Sequence, residues 1–214
     1  MLKMKVPFEN CVFKAYPQGS VTQFFGENPK LYASMGLAGH NGIDLVAPHG
    51  TPMVAIESGI VVEVNNNPKG YGKHLRIVSK KSKKGLCNEW TYGHCDTISV
   101  TIGQEVEEGQ VVATMGNTGF VVSGQTVFWK FNPYAGTHLH LGLRKVKRDI
   151  KGWSYVGSKV KISVPNYGNG YKGAIDPLTE FNVGKDVNVA NLEAQVSLLT
   201  KVVELYKQLL SIKK

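Results

Sequence analysis

Between residues 51 and 144 the chain alternates short apolar runs with polar or glycine-bearing breaks. The runs "TPMVAIESGIVVEVNNN" (51–67), "KHLRIVSKK" (73–81), "NEWTYGHC" (88–95), "ISVTI" (98–102), "VVATMG" (111–116) and "THLHLGLR" (137–144) are rich in Val, Ile and aromatic side chains, which suit a pleated surface. Turn-forming residues separate them at short intervals, as antiparallel neighbours joined by tight connections require. The segments "APHGTPMVAIESGIVVEV" and "TIGQEVEEGQVVATMGNTG" each place a Gly-centred turn ahead of a Val-rich strand. The pattern predicts a mainly β fold built on an antiparallel sheet.

The flanks read differently. Residues 1–37 are expected to form an irregular N-terminal lead-in, with turn signals at "YPQGS" and "GENPK". Residues 145–182, rich in Gly, Lys and Tyr, predict an excursion that returns to the core at Ile175 to Leu178. Residues 188–214 hold neither Gly nor Pro, and Leu192, Val196, Leu199, Val203, Tyr206 and Leu210 follow each other at alternating spacings of four and three. A second row, Leu198, Val202, Leu205, Leu209 and Ile212, widens the stripe. This tail is expected to be a C-terminal α-helix behind a hinge at "NVGKD", forming a coiled coil that makes a homo-oligomer; the alternative is a helix docked on its own domain. The main domain is placed at 38–183.

Length and composition narrow the class. A chain of 214 residues with 42% hydrophobic residues suits one globular domain and an appendage. Its three cysteines, Cys11, Cys87 and Cys95, are too few and scattered for a disulfide framework and read as free thiols, with an 87–95 bridge as the alternative. The net charge of +9 suits an anionic partner, whether nucleic acid, a membrane surface or a polyanionic cell-wall polymer, and charge alone does not choose among them. The basic runs "KKSKK" (80–84) and "RKVKRDIK" (144–151) read as solvated loops; no aromatic-basic motif accompanies them, so no specific nucleic-acid partner is expected. No transmembrane segment and no signal peptide are expected.

Chemistry concentrates in the histidines, of which there are six: His40, His49, His74, His94, His138 and His140. On a strand, positions two apart share a face, so His138 and His140 project together while Leu139 and Leu141 face the other way. In "GHNGIDLVAP", His40 and Asp44 lie four apart, also on one face if extended, and Gly42 lets the backbone approach closely. His, Asp and His supply the N, O and N donors that zinc takes in sites that leave a position open. No HExxH is present to provide a glutamate base, which leaves His138 and His94 of "YGHCD" to handle a proton. His49 and His74 read as structural or surface residues, and Cys95 as a small buried hydrophobe. Tyr71, Trp90, Tyr92, Trp129 and Tyr134 are candidates to line a groove, against the usual core role of aromatic residues.

Taken in order, "HNGIDLVAPHGTPMVAIESGIVVEV", "GYGKHLRIVS", "TYGHCD", "GQEVEEGQVVATMGNTG", "GTHLHLGLR" and "AIDPL" resemble the lysostaphin-type M23 metallopeptidases, the LytM-domain family, over residues 40 to about 178. The resemblance implies an antiparallel sheet with its site in a groove, one zinc ion per chain held by His40, Asp44 and His140, and His138 and His94 assisting catalysis. It further implies an endopeptidase that cleaves peptide crosslinks of bacterial peptidoglycan, with a non-catalytic cell-wall-binding or activator module as the alternative. Two stretches depart from the family: the aromatic "FVVSGQTVFWKFNPYA" (120–135) and the expansion at 145–174, both flanking the HxH strand and expected to shape the substrate groove. By itself "GQEVEEGQVVATMG" resembles lipoyl carrier turns, but no lysine-bearing hairpin tip accompanies it. A product made in the cytoplasm and acting at the cell wall, encoded by a phage, is the expected biology.

Overall fold

The computed structural model describes residues 6–123, 126–127 and 133–181, together with Thr200. Strand β1 (Val21–Gln23) and helix α1 (Pro29–Ala33) precede β2 (Ile43–Leu45), β3 (Pro52–Val54), β4 (Gly59–Asn67), β5 (Gly72–Lys83) and β6 (Leu86–Ile98). There follow β7 (Glu105–Val106), β8 (Val111–Met115), β9 (Val122–Ser123), β10 (Thr126–Val127), β11 (Leu139–Trp153), β12 (Ile162–Ser163), β13 (Ala174–Ile175) and a 3-10 turn at Pro177–Thr179. The main sheet runs β1-β2-β11-β6-β5-β4-β7, every pairing antiparallel, with β8 joined to β3 and β6, and β12 and β13 joined to β11. The expected mainly β architecture is therefore present. No helix among the described residues is long and apolar enough to cross a membrane.

Binary alternation decides which face of the sheet is core. Leu139, Leu141 and Leu143 of β11, Trp90 and Tyr92 of β6, and Leu75 and Ile77 of β5 are all buried on one side, packed with Ile43, Leu45, Met53 and Met115. Polar tips on that side are satisfied: the Tyr92 hydroxyl donates to Val54 O at 3.1 Å and accepts from Ile56 N at 3.0 Å, and Trp90 Nε1 donates to Glu57 at 2.7 Å. The opposite face carries the intervening residues. Registers His140↔Gly93, Gly142↔Thr91 and Arg144↔Glu89 set them side by side, with Arg76 of β5 opposite Thr91. Further along, that second face ends in a small apolar cluster of Val62, Val78, Cys87, Val146 and Ile162.

Several expectations needed correction. The run 51–67 is two strands, because Ala55 and Ile56 turn into the core and Ile56 N bonds a side chain rather than a strand neighbour. "ISVTI" is largely a turn: Gln104 N bonds Thr101 O at 3.1 Å, and its buried Val100 plugs the core without pairing. Within 1–37, expected to be irregular, β1 joins the sheet through Val21↔Leu45 and Gln23↔Asp44. The 145–174 expansion is not a loose excursion: β11 continues to Trp153, β12 folds back on it, and β13 pairs with Leu143 and Arg144. All three cysteines are free and buried. The predicted C-terminal helix and coiled coil over 188–214 lie outside the described residues, Thr200 excepted.

Candidate metal centre and cleft

His40, Asp44 and His140 converge although two come from one segment and the third lies about a hundred residues on. Antiparallel pairing of β2 with β11 places His140 directly across from Asp44, and His40 stands four residues before Asp44 in the approach to β2. A Cβ at Gly42 would lie 2.6 Å from Leu141 O and 2.7 Å from the His140 ring, so this approach needs glycine, as the sequence suggested. His40 Nε2 lies 3.1 Å from Asp44 Oδ1 and 2.9 Å from His140 Nδ1, and His140 Nδ1 lies 3.1 Å from Asp44 Oδ1. The rings of His40 and His140 are both nearly inaccessible.

Hydrogen bonds fix which ring nitrogens carry lone pairs. His40 Nδ1 donates to Phe24 O at 3.2 Å, which leaves Nε2 as an acceptor facing Asp44 and His140. His140 presents Nδ1 to the cluster, while its Nε2 is buried without a partner among the described residues. Burial pushes the His140 ring down to about 4 despite the Asp44 bond. Burial opposes charge on Asp44 too, but His138 and His40 beside it, with the hydrogen bond from His140, hold its carboxyl well below the usual range. One carboxylate oxygen and two imidazole nitrogens so close together form a set that a cation satisfies better than a single shared proton. Tetrahedral zinc with bonds near 2.0–2.2 Å separates its donors by roughly 3.3–3.5 Å, so only a few tenths of an ångström of spreading is required. The donor set fits zinc.

His94 and His138 flank this cluster, their ring centroids 4.6 Å apart. His138 lies just ahead of β11 rather than within it; its Nδ1 donates to Gly136 O at 2.7 Å, and its Nε2 is 3.7 Å from Asp44 Oδ2. His94 occupies a bulge of β6, where Lys73↔Cys95 gives way to Leu75↔Tyr92, and its φ of 60° is left-handed. Its backbone N–H bonds Tyr71 O at 2.7 Å, and Nδ1 donates to Thr118 O at 2.8 Å. Both rings therefore turn Nε2 away from their carbonyl anchors. Burial, with His138 and His140 nearby, lowers the His94 pKa to about 3.

All five sequence-predicted site residues thus meet at one place. The Tyr71 ring, held by Asn41 Nδ2 on its hydroxyl at 2.7 Å, tilts against His140 at 4.9 Å and forms a cleft wall. Trp90 and Tyr92 belong to the core instead, and Trp129 lies outside the described residues. His74 is structural, with Nδ1 on Gly72 O at 2.8 Å and Nε2 3.6 Å from Glu63; His49 packs on Tyr134 at 4.8 Å. A cleft of about 450 Å³ runs from Asp44, His94, His138 and His140 to Arg76 and Arg144. A second hollow, reaching His49 and Tyr134, shares Asp44 and His138 with it.

Glu63, which holds Arg76 of the cleft wall from behind, carries a measurable acid sensitivity. Burial raises its pKa, but His74 and Arg76 outweigh that and bring it from 4.5 to about 2. A depressed carboxyl contributes stability above its unfolded pKa and loses it as pH falls through the folded value. Partial exposure discounts the gain to on the order of 2 kcal/mol. Urea unfolding is expected to show Glu63→Gln losing less stability than wild type between pH 5 and pH 2.5; parallel losses would refute the assignment.

The model of peptidase family M23 matches residues 38–152, over half of the sequence. The chain belongs to peptidase family M23. The peptidases of this family are zinc-dependent, in keeping with the His-Asp-His group. This M23 chain is 45% identical over 80 residues to the uncharacterized lipoprotein YgeR of Escherichia coli K12, covering 37% of this chain and 30% of that protein. It is 38% identical over 102 residues to the murein hydrolase activator NlpD of the same strain, covering 48% and 24% respectively. The matched part thus spans 24% to 30% of these curated relatives. The solved catalytic domain of the antimicrobial peptidase lysostaphin from Staphylococcus simulans aligns at 23% identity and a TM-score of 0.45, covering 68% of this chain and 80% of that one.

The residues that sequence reasoning missed are Arg76, Glu89, Arg144 and Tyr155. The available signal was parity: Arg144 lies four residues after His140 on the same strand face, and Glu89 pairs with it.

Proposed function

We propose that the protein is a zinc-dependent endopeptidase that hydrolyses peptide crosslinks of bacterial peptidoglycan and acts at the cell wall. The observation that carries this reading is the convergence of His40, Asp44 and His140 with two further histidines at the junction of two open hollows. A site reached from both sides suits the interior of a peptide rather than its end. The net charge of +9 favours residence on a polyanionic envelope.

His40, Asp44 and His140 would hold the ion. Zinc there supplies Lewis acidity, which makes a water acidic near neutral pH and polarises a carbonyl. His138, anchored through Nδ1 on Gly136 O, offers Nε2 at the cleft surface to accept the attacking water's proton and return it to the departing amine. His94, anchored on Thr118 O, offers a second acceptor that orients the water or a substrate N–H. Tyr71 and Thr91 confine the peptide over the Gly142 floor.

Similarity to the murein hydrolase activator NlpD favours a second reading, a wall-binding or activator module without activity of its own. Purified sacculi digested with the zinc-loaded chain separate the two. Release of muropeptides that stops on chelation and returns with zinc is expected; a chain that binds sacculi but liberates nothing would establish the second reading. Mass analysis of fragments from walls with different crosslinks identifies the bond, for which the stem-peptide crosslink is expected over a glycine bridge.

A further inference from the structure

At the end of the cleft away from the histidines, two guanidinium groups are held side by side. Arg76 Nε donates to Glu63 at 2.7 Å, and its Nη1 donates to Glu89 at 3.1 Å and Thr91 at 2.7 Å. Arg144 Nε donates to Glu89 at 2.8 Å, while its Nη2 bonds Glu89 and the Tyr155 hydroxyl. The Glu89 side chain is fully buried, and the Tyr155 hydroxyl adds contacts at 3.2 and 3.1 Å to its two oxygens. Tyr71 and Tyr155 rings lie 5.6 Å from the Arg76 guanidinium, and the Trp153 ring lies 5.8 Å from that of Arg144.

A buried ion network need do nothing more than satisfy itself, and this one is formally neutral: two arginines against Glu63 and Glu89. Two features point further. Both arginines line the cleft, and neither Arg76 Nη2 nor Arg144 Nη1 has a partner among the described residues, although neither is enclosed. Arg144 therefore sets its Nε and Nη2 on Glu89 and Arg76 only its Nη1, which leaves one free nitrogen on each guanidinium, Arg76 Nη2 and Arg144 Nη1. Lys69 and Lys172, exposed on the rim, add positive charge where no carboxylate lines the cleft nearer than Asp44. Two arginines held rigidly by a buried acid and by aromatic faces, each with one nitrogen free, are well prepared to share a planar anion between them.

We propose that Arg76 and Arg144 form a carboxylate-binding subsite, which selects peptide substrates bearing a free carboxylate a few residues from the scissile bond. Glu89 is its positioning residue. The proposal rests on the reading of the cleft as peptide-binding. His140 and Arg144 share one strand face four residues apart, which is about 13 Å at the strand rise and on the order of four residues of extended peptide. The expansion at 145–174 builds this end of the cleft, because Tyr167, Tyr171 and Lys172 line it, and Trp153 and Tyr155, also from the expansion, hold the two guanidiniums in place. An acidic stem peptide meets this requirement, whereas an oligoglycine bridge has no carboxylate to offer at that distance.

The test uses the full chain and uncrosslinked stem peptides, which contain no crosslink to cut, as free carboxylates or as carboxamides. Calorimetry is expected to find the carboxylate form bound about tenfold tighter or more at low salt, since a charge-assisted pair is lost on amidation. Arg144→Lys, which keeps a cation beside Glu89, is expected to reduce the preference, and Arg144→Gln to remove it. Equal binding of both peptides by wild type overturns the proposal even if a variant fails to fold. So does an undiminished preference in folded Arg144→Gln. Carboxylate-selective binding by a chain that leaves sacculi intact would refute the peptidase reading alone; hydrolysis of amidated and free substrates at equal kcat/KM would refute the subsite alone.

Discussion

His140→Ala is expected to empty the metal centre and abolish hydrolysis while the chain remains folded. Three donors converge there, and His140 Nδ1 stands 2.9 Å from His40 Nε2 and 3.1 Å from Asp44 Oδ1, so its loss leaves a two-donor site. Removing even the groups behind a metal ligand costs about 10–100-fold in affinity, so losing the ligand is expected to exceed about 100-fold. Zinc measured after dialysis should fall from one per chain to none, and muropeptide release should fall below detection. Folding should survive because Leu139 and Leu141, the neighbours of His140 on β11, hold the strand to the core from its other face. The control is His74→Ala. That ring is equally buried, but its bonds go to Gly72 O and Glu63, so it should lower the melting temperature and leave zinc unchanged. Retention of stoichiometric zinc by His140→Ala would remove His140 from the centre, and retained hydrolysis without zinc would end the metallopeptidase reading.

How much of this was legible in the sequence depended on whether the signal was local. Alternation in "THLHLGLR" assigned the leucines to one face and His140 to the other, and the same parity holds across β6, where Trp90 and Tyr92 are core. Partnership of that strand with "GHNGIDLVAP" came from donor chemistry and family resemblance, because pairing between β2 and β11 leaves no mark in either segment alone. The pattern failed where tertiary needs override it. Val100 gave "ISVTI" the look of a strand, although the residue only fills a core gap, and Val21 lay unnoticed in a lead-in whose pairing partner is Leu45. The bulge that turns His94 into the cleft was hidden as well, since a left-handed histidine carries no glycine signature. The arginine pair was missed for the opposite reason. "RKVKRDIK" looks like a solvated basic run, and only the fold shows that Arg144 faces a buried glutamate while Ile150 is exposed.

His138→Ala separates proton transfer from metal binding and carries the second large expected effect. Its Nε2 is 3.7 Å from Asp44 Oδ2, close to the centre without being one of the three converging donors. Its side chain is 16% exposed where His94 is enclosed, so solvent water reaches it and a proton taken up there can be passed on. Loss of a positioned general base typically costs about 10²–10⁴-fold, and kcat is expected to fall within that range, with zinc stoichiometry kept and KM close to wild type. His94→Ala should cost less in kcat and more in stability, because it removes the ring that bonds Thr118 O and packs beneath the cleft. Loss of zinc from His138→Ala would make it a ligand instead, and an unchanged kcat would pass the proton to His94. Only a fall in kcat with the metal retained fits the division argued here: His140 holds the ion, and the histidine two residues before it moves the proton.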